Sequence, residues 1–358
     1  MTRRNSLSLI TMLALCAMSF AAPARQQTTY RLTHLGTTVF ENDTTVVFGV
    51  FGINESNELV GSRPVPGGVI AFIWRDGEFQ DLNPLLNTNL AFAEEINERS
   101  EVIGDYWDEQ QDRFRGFLLR RGEITRIEAV PGEISLLALD INNRPEVLIR
   151  SQDAQFALRD FVWRDGHLTP LEPLPGSGTF ARRLNDRGAI IGTAFLPATS
   201  VPVLWQDATV MQIELPEGAV SGIGMDINNH GAAIGNASFP DIPFVQSGYS
   251  AGFLWREGQA TGLPSPDGRN SNFAWDINNR GVIVGYSFRP SEESVAVIWP
   301  RRGDPVDLNE LIAEDDPLKP FVHLREGSSI NDRGVIVASG FDSRNEYSTS
   351  TYLLTPQH

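Results

Sequence analysis

The stretch NFAWDINNRGVIVGYS, residues 272–287, decides how the rest of the chain is read. It holds two short runs dense in β-branched and aromatic residues, as buried strands are. Between them Asn278, Asn279, Arg280 and Gly281 carry the chemistry of a three-residue hairpin, a type I turn followed by a glycine at positive φ. The stretch therefore reads as a pair of antiparallel strands.

Working outward, the Ile-Asn or Leu-Asn pair inside it recurs at Asn54, Asn97, Asn142, Asn185, Asn228, Asn278 and Asn331, with spacings of 43, 45, 43, 43, 50 and 53 residues. That period is close to the roughly 40 to 50 residues of a four-stranded propeller blade. A second landmark follows each pair in fixed order: AFIW ending at Trp74, GFLL at Leu119, DFVW at Trp163, PVLW at Trp205, GFLW at Trp255, AVIW at Trp299 and TYLL at Leu354. After it come two-residue hairpins such as Asp76-Gly77, Asp165-Gly166 and Glu257-Gly258, which favour type I′ geometry. A short fourth strand and a Pro/Gly-rich loop complete each unit.

The glycine of the first turn recurs at Gly188, Gly231 and Gly334, but the first three units place Asn57, Ser100 and Pro145 there. Those turns are expected to differ in detail, Pro145 most of all because its ring fixes φ near −65°. Tyr30 to Gly36 reads as a fourth strand lacking its first three, and Thr351 to Leu354 as a third strand lacking its fourth. Pairing the two completes a blade and removes exposed strand edges. The expectation is an all-β, seven-bladed β-propeller of four-stranded blades, its last blade closed by the N-terminal strand. An open solenoid would leave both terminal half-units unpaired and would need polar caps.

The run D-I-N-N-R-G-x-I-V-G followed by A-F-L-W-x-x-G resembles the bacterial extracellular HAF repeat. Asp276 to Gly285 with Ala296 to Trp299 carry it, as do Asp226 to Gly235 with Gly252 to Trp255, and the likeness extends over residues 28–356. The resemblance implies a secreted or periplasmic repeat protein and brings no catalytic residues with it.

Residues 1–24 have Arg3 and Arg4, an apolar run from Leu7 to Phe20 and a small-residue site at Ala22, Pro23 and Ala24, the layout of a cleavable export signal. The apolar run is shorter than the ~20 residues that span a bilayer. Two variants stay open, a twin-arginine signal around Arg3-Arg4 and a lipoprotein box ending at Cys16. Residues 25–358 then form one propeller domain, secreted or periplasmic and monomeric. Cys16 is the only cysteine, so cleavage would leave no disulfide, thiol nucleophile or cysteine-ligated metal.

Acidic residues outnumber basic ones 45 to 29, a net charge of −16, which speaks against a phosphate-backbone footprint and so against nucleic acid. Asp140, Asp226 and Asp276 recur at one repeat position, but Gly52, Glu95, Arg183 and Ser329 occupy it in the other units. Copies of one residue follow from the repeat, whereas a site needs unlike residues converging. The strand-three tryptophans are read as packing between blades. No cofactor is expected. The histidines lack zinc spacing, and the acidic loops at Glu314-Asp315-Asp316 and Asp342 to Glu346 lack calcium-loop spacing. No nucleophile elbow or phosphate loop occurs.

Two functions remain: an exported binding or scaffold module for a protein or glycan partner, or a propeller hydrolase or lyase acting on glycans through carboxylates at the central channel. Loop lengths favour one face for binding. The turns from strand one to two and from three to four are uniformly tight and share a face, while length variation falls on the opposite face, at 63–70, 105–115, 236–250, 309–327 and 340–350. Its non-repeat aromatics, Tyr106, Trp107, Phe239, Phe244, Tyr249, Phe321 and Tyr347, are the expected anchors.

Overall fold

The computed structural model describes residues 28–41, 44–46, 48–128, 132–207, 209–240, 249–268, 271–289, 293–345 and 348–357. The export segment 1–24 therefore lies outside the described residues, as do Phe244 and Tyr347. Seven four-stranded antiparallel sheets stand in a ring as blades one to seven, at residues 49–81, 91–127, 133–170, 178–212, 221–262, 272–307 and 322–357, the last completed by 29–37. This is a seven-bladed β-propeller. The closing strand Thr29–Thr37 pairs antiparallel with Thr349–Gln357, Thr29 opposite Gln357 and Leu32 opposite Leu354.

The core lies between blades. Seven apolar clusters each join two neighbouring blades, one cluster for each junction of the ring. Trp163, Trp205 and Trp299 are buried in them, and Trp205 and Trp299 donate Nε1–H to the carbonyls of Glu172 and Pro264.

The tight turns take the predicted geometry at Gly188, Gly231, Gly281 and Gly334, with φ between 76 and 81°. The expected departure in the first units is corrected for Asn57 and Ser100, which take the same left-handed conformation at φ 60 and 57°. Pro145 also turns positive, to φ 22°, against the expectation that its ring forbids this. The reason lies in the asparagine that opens each turn. Asn142 Oδ1 accepts from the backbone N–H groups of Arg144 and Glu146, the clamp that Asn54, Asn97, Asn185, Asn228 and Asn278 repeat on residues two and four further on. The clamp dictates the turn and the fourth residue conforms. Asp76, Gly77, Asp165, Gly166, Glu257 and Gly258 all have positive φ, the type I′ pattern.

One irregularity recurs in every blade. The inner strand skips one residue in its pairing with the second strand, a β-bulge at Phe51, Glu94, Leu139, Arg182, Met225, Trp275 and Ser328. In several blades the bulge brings an inner-strand carbonyl close against a glycine of the second strand, where a Cβ on Gly104, Gly192 or Gly285 would stand 2.0, 2.2 or 1.9 Å from the carbonyl oxygen of Phe92, Phe180 or Phe273, while blades three and seven accommodate Ile149 and Ala338 at that place. The recurring Val-Gly and Ile-Gly of the repeat thus serves the bulge.

Candidate functional site

The inner strands run from the face with long loops to the face with tight turns, so each blade lines the central channel at successive levels. At the tight-turn end the seven repeat asparagines close a circle. Asn54 Nδ2 donates to the Asn97 carbonyl, Asn97 to Asn142, Asn142 to Asn185, Asn185 to Asn228, Asn228 to Asn278, Asn278 to Asn331 and Asn331 back to Asn54, at 2.9–3.3 Å. The next residues make a second circle, in which the backbone N–H of Glu55, Glu98, Asn143, Asp186, Asn229, Asn279 and Asp332 each meets a side-chain oxygen of the following blade. Buried asparagine amides satisfied in this way are scaffold.

Above the circles stands the level of the recurring aspartates. Asp140 accepts from the N–H of Ile141 and of Leu184 in the next blade, and Asp226 from Ile227 and Ile277 in the same fashion. Asp276 accepts from Ile330 and shares a hydrogen bond with Asp226. These carboxylates tie one blade to the next, as expected of a repeat-derived position. The residues that interrupt the pattern complete the electrostatics. Glu95 leans into the space over Gly52, and Arg183 reaches within 3.8 Å of Glu95 while donating to the carbonyls of Leu139 and Arg182. Burial pushes Glu95 up to about 8 and Asp140 up to about 7, in both cases against the pull of Arg183. Burial and the neighbouring Asp226 raise Asp276 well above the usual carboxylate range. Burial alone would lower Arg183, yet Asp140, Glu95, Asp226 and Asp276 together raise it. This level is one internal cation, Arg183, with the carboxyl groups of Glu95, Asp140, Asp226 and Asp276 around it.

The bulge residues form the next level, and there the repeat gives way. Seven blades present seven different residue types, Phe51, Glu94, Leu139, Arg182, Met225, Trp275 and Ser328, and all but the buried Met225 line the central cavity of about 600 Å³. Glu94, Leu139, Arg182 and Arg183 also border a second cavity of about 540 Å³, opening at the long-loop face between blades two and five. Its wall carries Phe92, Phe114, Leu137, Phe180 and Phe195, of which Leu137, Phe180 and Phe195 are exposed. Phe180 meets Phe195 edge-on with centroids 5.1 Å apart, and the Arg150 guanidinium lies 4.0 Å from the Phe180 centroid. Arg150 is held by Asp160, Nε to Oδ1 at 2.8 Å. The Asp105 carboxylate accepts from Ala138 N–H, and burial and nearby Glu94 raise it well above its ordinary value. The Arg182 guanidinium lies 5.6 Å from the Trp275 centroid and makes no hydrogen bond or ion pair among the described residues. Burial, then the adjacent Arg183, lowers it to about 10.

Of the aromatics singled out from the sequence, the five among the described residues do not come together in one cluster. Tyr106 is buried in the core between blades one and two, with Arg126 5.8 Å from its centroid. Trp107 meets Phe114 edge-on at 5.2 Å, and of the two only Phe114 borders the second cavity. Phe239 and Tyr249 stack on each other at 4.7 Å, and Phe321 is exposed with Arg344 4.3 Å from its centroid. Sequence reasoning passed over Phe92, Phe180, Phe195 and the bulge residues. Part of the signal was available, because the bulge stands two residues before each Ile-Asn or Leu-Asn pair and is a column that differs in every copy, as the column of Phe48, Ala91 and Leu136 also does.

Among the described residues no group of three or more His, Cys, Asp or Glu is placed to hold a metal ion. The acidic loops are engaged internally: Asp316 accepts from Leu32 and Leu318 N–H, Asp315 pairs with Arg31, Glu314 with Lys319, and Asp342 with Arg344. No helix among the described residues is long and apolar enough to cross a membrane.

No protein-family model and no curated protein matches the chain. Solved structures do. The β-propeller domain of the Trilobed protease from Pyrococcus furiosus, described as having an open velcro topology, matches with a TM-score of 0.55 at 8% identity over 86% of this chain and 96% of that one. A prolyl endopeptidase matches with a TM-score of 0.55 at 8% identity over 92% of this chain and 50% of its own length, so this chain spans half of that enzyme. Identities this low speak for architecture alone, and what this chain shares with both is the β-propeller fold, here in seven blades with the ring closed by its first described strand.

Proposed function

We propose that this chain is an exported, non-enzymatic binding propeller of the HAF-repeat kind, which takes its ligand at the channel mouth on the long-loop face. One observation carries the reading. A repeat that holds its turns, bulges and asparagines constant across seven copies varies completely at the one column that the bulges aim into the channel. Unlike side chains converging on a cavity are what recognition requires, and binding groups are commonly mounted on a rigid frame in this way.

The glycan hydrolase or lyase reading needs two carboxylates free to act across the channel. Asp140 and Asp226 spend both oxygens on backbone N–H groups, and Asp105 and Asp160 each hold the inner strand of the following blade through Ala138 and Ala181. These four carboxylates serve assembly first, which supports binding over catalysis, while Glu94 and Glu326 line the central cavity without such bonds and are the pair the enzyme reading would have to use.

The test is a thermal-shift screen of glycans, peptides and small acids against three proteins: the native chain, a channel variant with Leu139→Arg and Trp275→Ala, and a turn-face variant with Asp165→Ala and His167→Ala. Ligands that stabilise the native and turn-face proteins but not the channel variant support the proposal. Ligands lost only in the turn-face variant overturn it, and turnover of any hit reinstates the enzyme. Export is tested separately by the mass of the protein recovered outside the cytoplasm, expected to begin near Arg25.

A further inference from the structure

Resting on that reading of the mouth, we infer that the ligand is a small monocarboxylate with an apolar or aromatic body, its carboxylate on Arg182 and its body against Phe92, Phe180 and Phe195. Arg150 is paired with Asp160 and donates to the Ala181 carbonyl, and Arg183 is held by Glu95 and the aspartate level. Arg182 alone has no acceptor among the described residues, although its guanidinium offers five donors. Its only close partner is the Trp275 ring, whose own Nε1–H is enclosed without an acceptor as well.

Arg182, which borders both cavities, is therefore the donor that the fold leaves unanswered. A carboxylate suits the planar guanidinium fork, which binds it through two parallel hydrogen bonds.

Charge count limits the ligand to one negative charge. The chain carries −16 overall, and Glu94 borders the same cavity as Arg182. A phosphate dianion or polyanion would meet that field with only one uncommitted cation to offset it.

The rest of the molecule is specified by the wall above Arg182. Phe180 and Phe195 stand 39% and 45% exposed at a cavity mouth, where large apolar rings gain from a partner that removes them from water. A cavity of about 540 Å³ lies in the range of small-molecule sites. A free aryl or alkyl acid and the C-terminal residue of an apolar peptide share this chemistry.

Isothermal titration of the full mature chain with 4-phenylbutyrate, 4-phenylbutanol, 4-phenylbutylamine, Gly-Gly-Phe and Gly-Gly-Phe amide tests the inference. The acid is expected to bind at least tenfold more tightly than the alcohol, and Arg182→Gln to erase that preference while leaving the alcohol unchanged. Leu139→Glu, which would supply an internal carboxylate beside an intact Arg182, is expected to abolish acid binding. Tighter binding of 4-phenylbutyrate than of Gly-Gly-Phe identifies a free acid as the source, and the reverse, with loss on amidation, a peptide terminus. Equal binding of acid and alcohol, or preference for the amine, overturns the carboxylate while leaving the mouth as a site. Failure of every probe up to millimolar concentration overturns this inference, and only failure of the broader screen at the channel overturns the proposed function with it.

Discussion

The side-chain amide of Asn331 donates to the carbonyl oxygen of Asn54 at 3.0 Å, joining residues 277 positions apart by the same bond that links every other pair of neighbouring blades. The last blade and the first are thus joined at the channel by this amide and by the Asp332 N–H on Glu55, and between the blades by an apolar cluster, while Thr29–Thr37 completes blade seven before the chain enters blade one.

Substituting one member of the circle tests its weight. Asn228→Ala removes the acceptor of the His230 and Ala232 N–H groups and the donor to the Asn278 carbonyl, in a place where Asn228 is only 5% exposed. Leaving such groups unsatisfied costs about 1–3 kcal/mol each where water cannot reach them, so a loss of ~3 kcal/mol is expected in urea denaturation. A loss below ~0.5 kcal/mol would show the circle to be decorative.

Deleting residues 30–36 should abolish cooperative melting and promote aggregation. It strips the outer strand from blade seven and removes Tyr30 and Leu35 from two interblade clusters. A truncated protein that melts as the native one does would sink the role of this strand in closure.

Gly281→Val should cost ~1–3 kcal/mol, because a β-branched residue is strained at φ 76°. The neighbouring Arg256 and Arg301 side chains leave room for the new Cβ at 3.4 Å and beyond, so the effect isolates the backbone.

Stability should fall as pH rises from about 5 to about 8.5. Glu95 is raised to about 8 from an ordinary 4.5, and Asp140 to about 7 from 3.8, so the folded chain keeps protons that the unfolded chain has released. Their contribution is complete below the unfolded values and is lost as pH passes through the folded ones. Glu58, Asp315 and Asp342 are shifted downward, and they act only at lower pH. Glu95→Gln should flatten the slope in urea midpoints measured across this window, and an unchanged slope would remove Glu95 as its source.

The blades were legible because a propeller writes its architecture as periodicity: Asn278 and Trp299 fall at the same place in their unit as Asn54 and Trp74 do in theirs. The closing strand was legible at Tyr30 for the same reason. What the repeat did not disclose was register. The bulge at Trp275 is a two-against-one pairing that no residue type demands, and its trace in sequence is the small residue before it and the glycine opposite, as at Ala274 and Gly285. Without the bulge Arg182 reads as an ordinary strand residue. The left-handed turn at Pro145 escaped the sequence too, because the decisive group is the amide of Asn142, three positions earlier.

The pairing of Thr29 with Gln357 has a consequence for where the polypeptide needs to be continuous. In blade one Arg75 stands opposite Glu78 in the same way, with Asp76 and Gly77 bridging them. An Asp-Gly bridge from Gln357 to Thr29 would turn the seam into a sixth two-residue hairpin, and the chain could then be opened in the loop at 174–177 between blades three and four. The step from Asn331 to Asn54 uses the same amide-to-carbonyl bond as the other six, with one added donation from Asn331 Nδ2 to Asn57 Oδ1. The ring is thus indifferent to its own starting point, and a circularly permuted chain is expected to reach the same propeller.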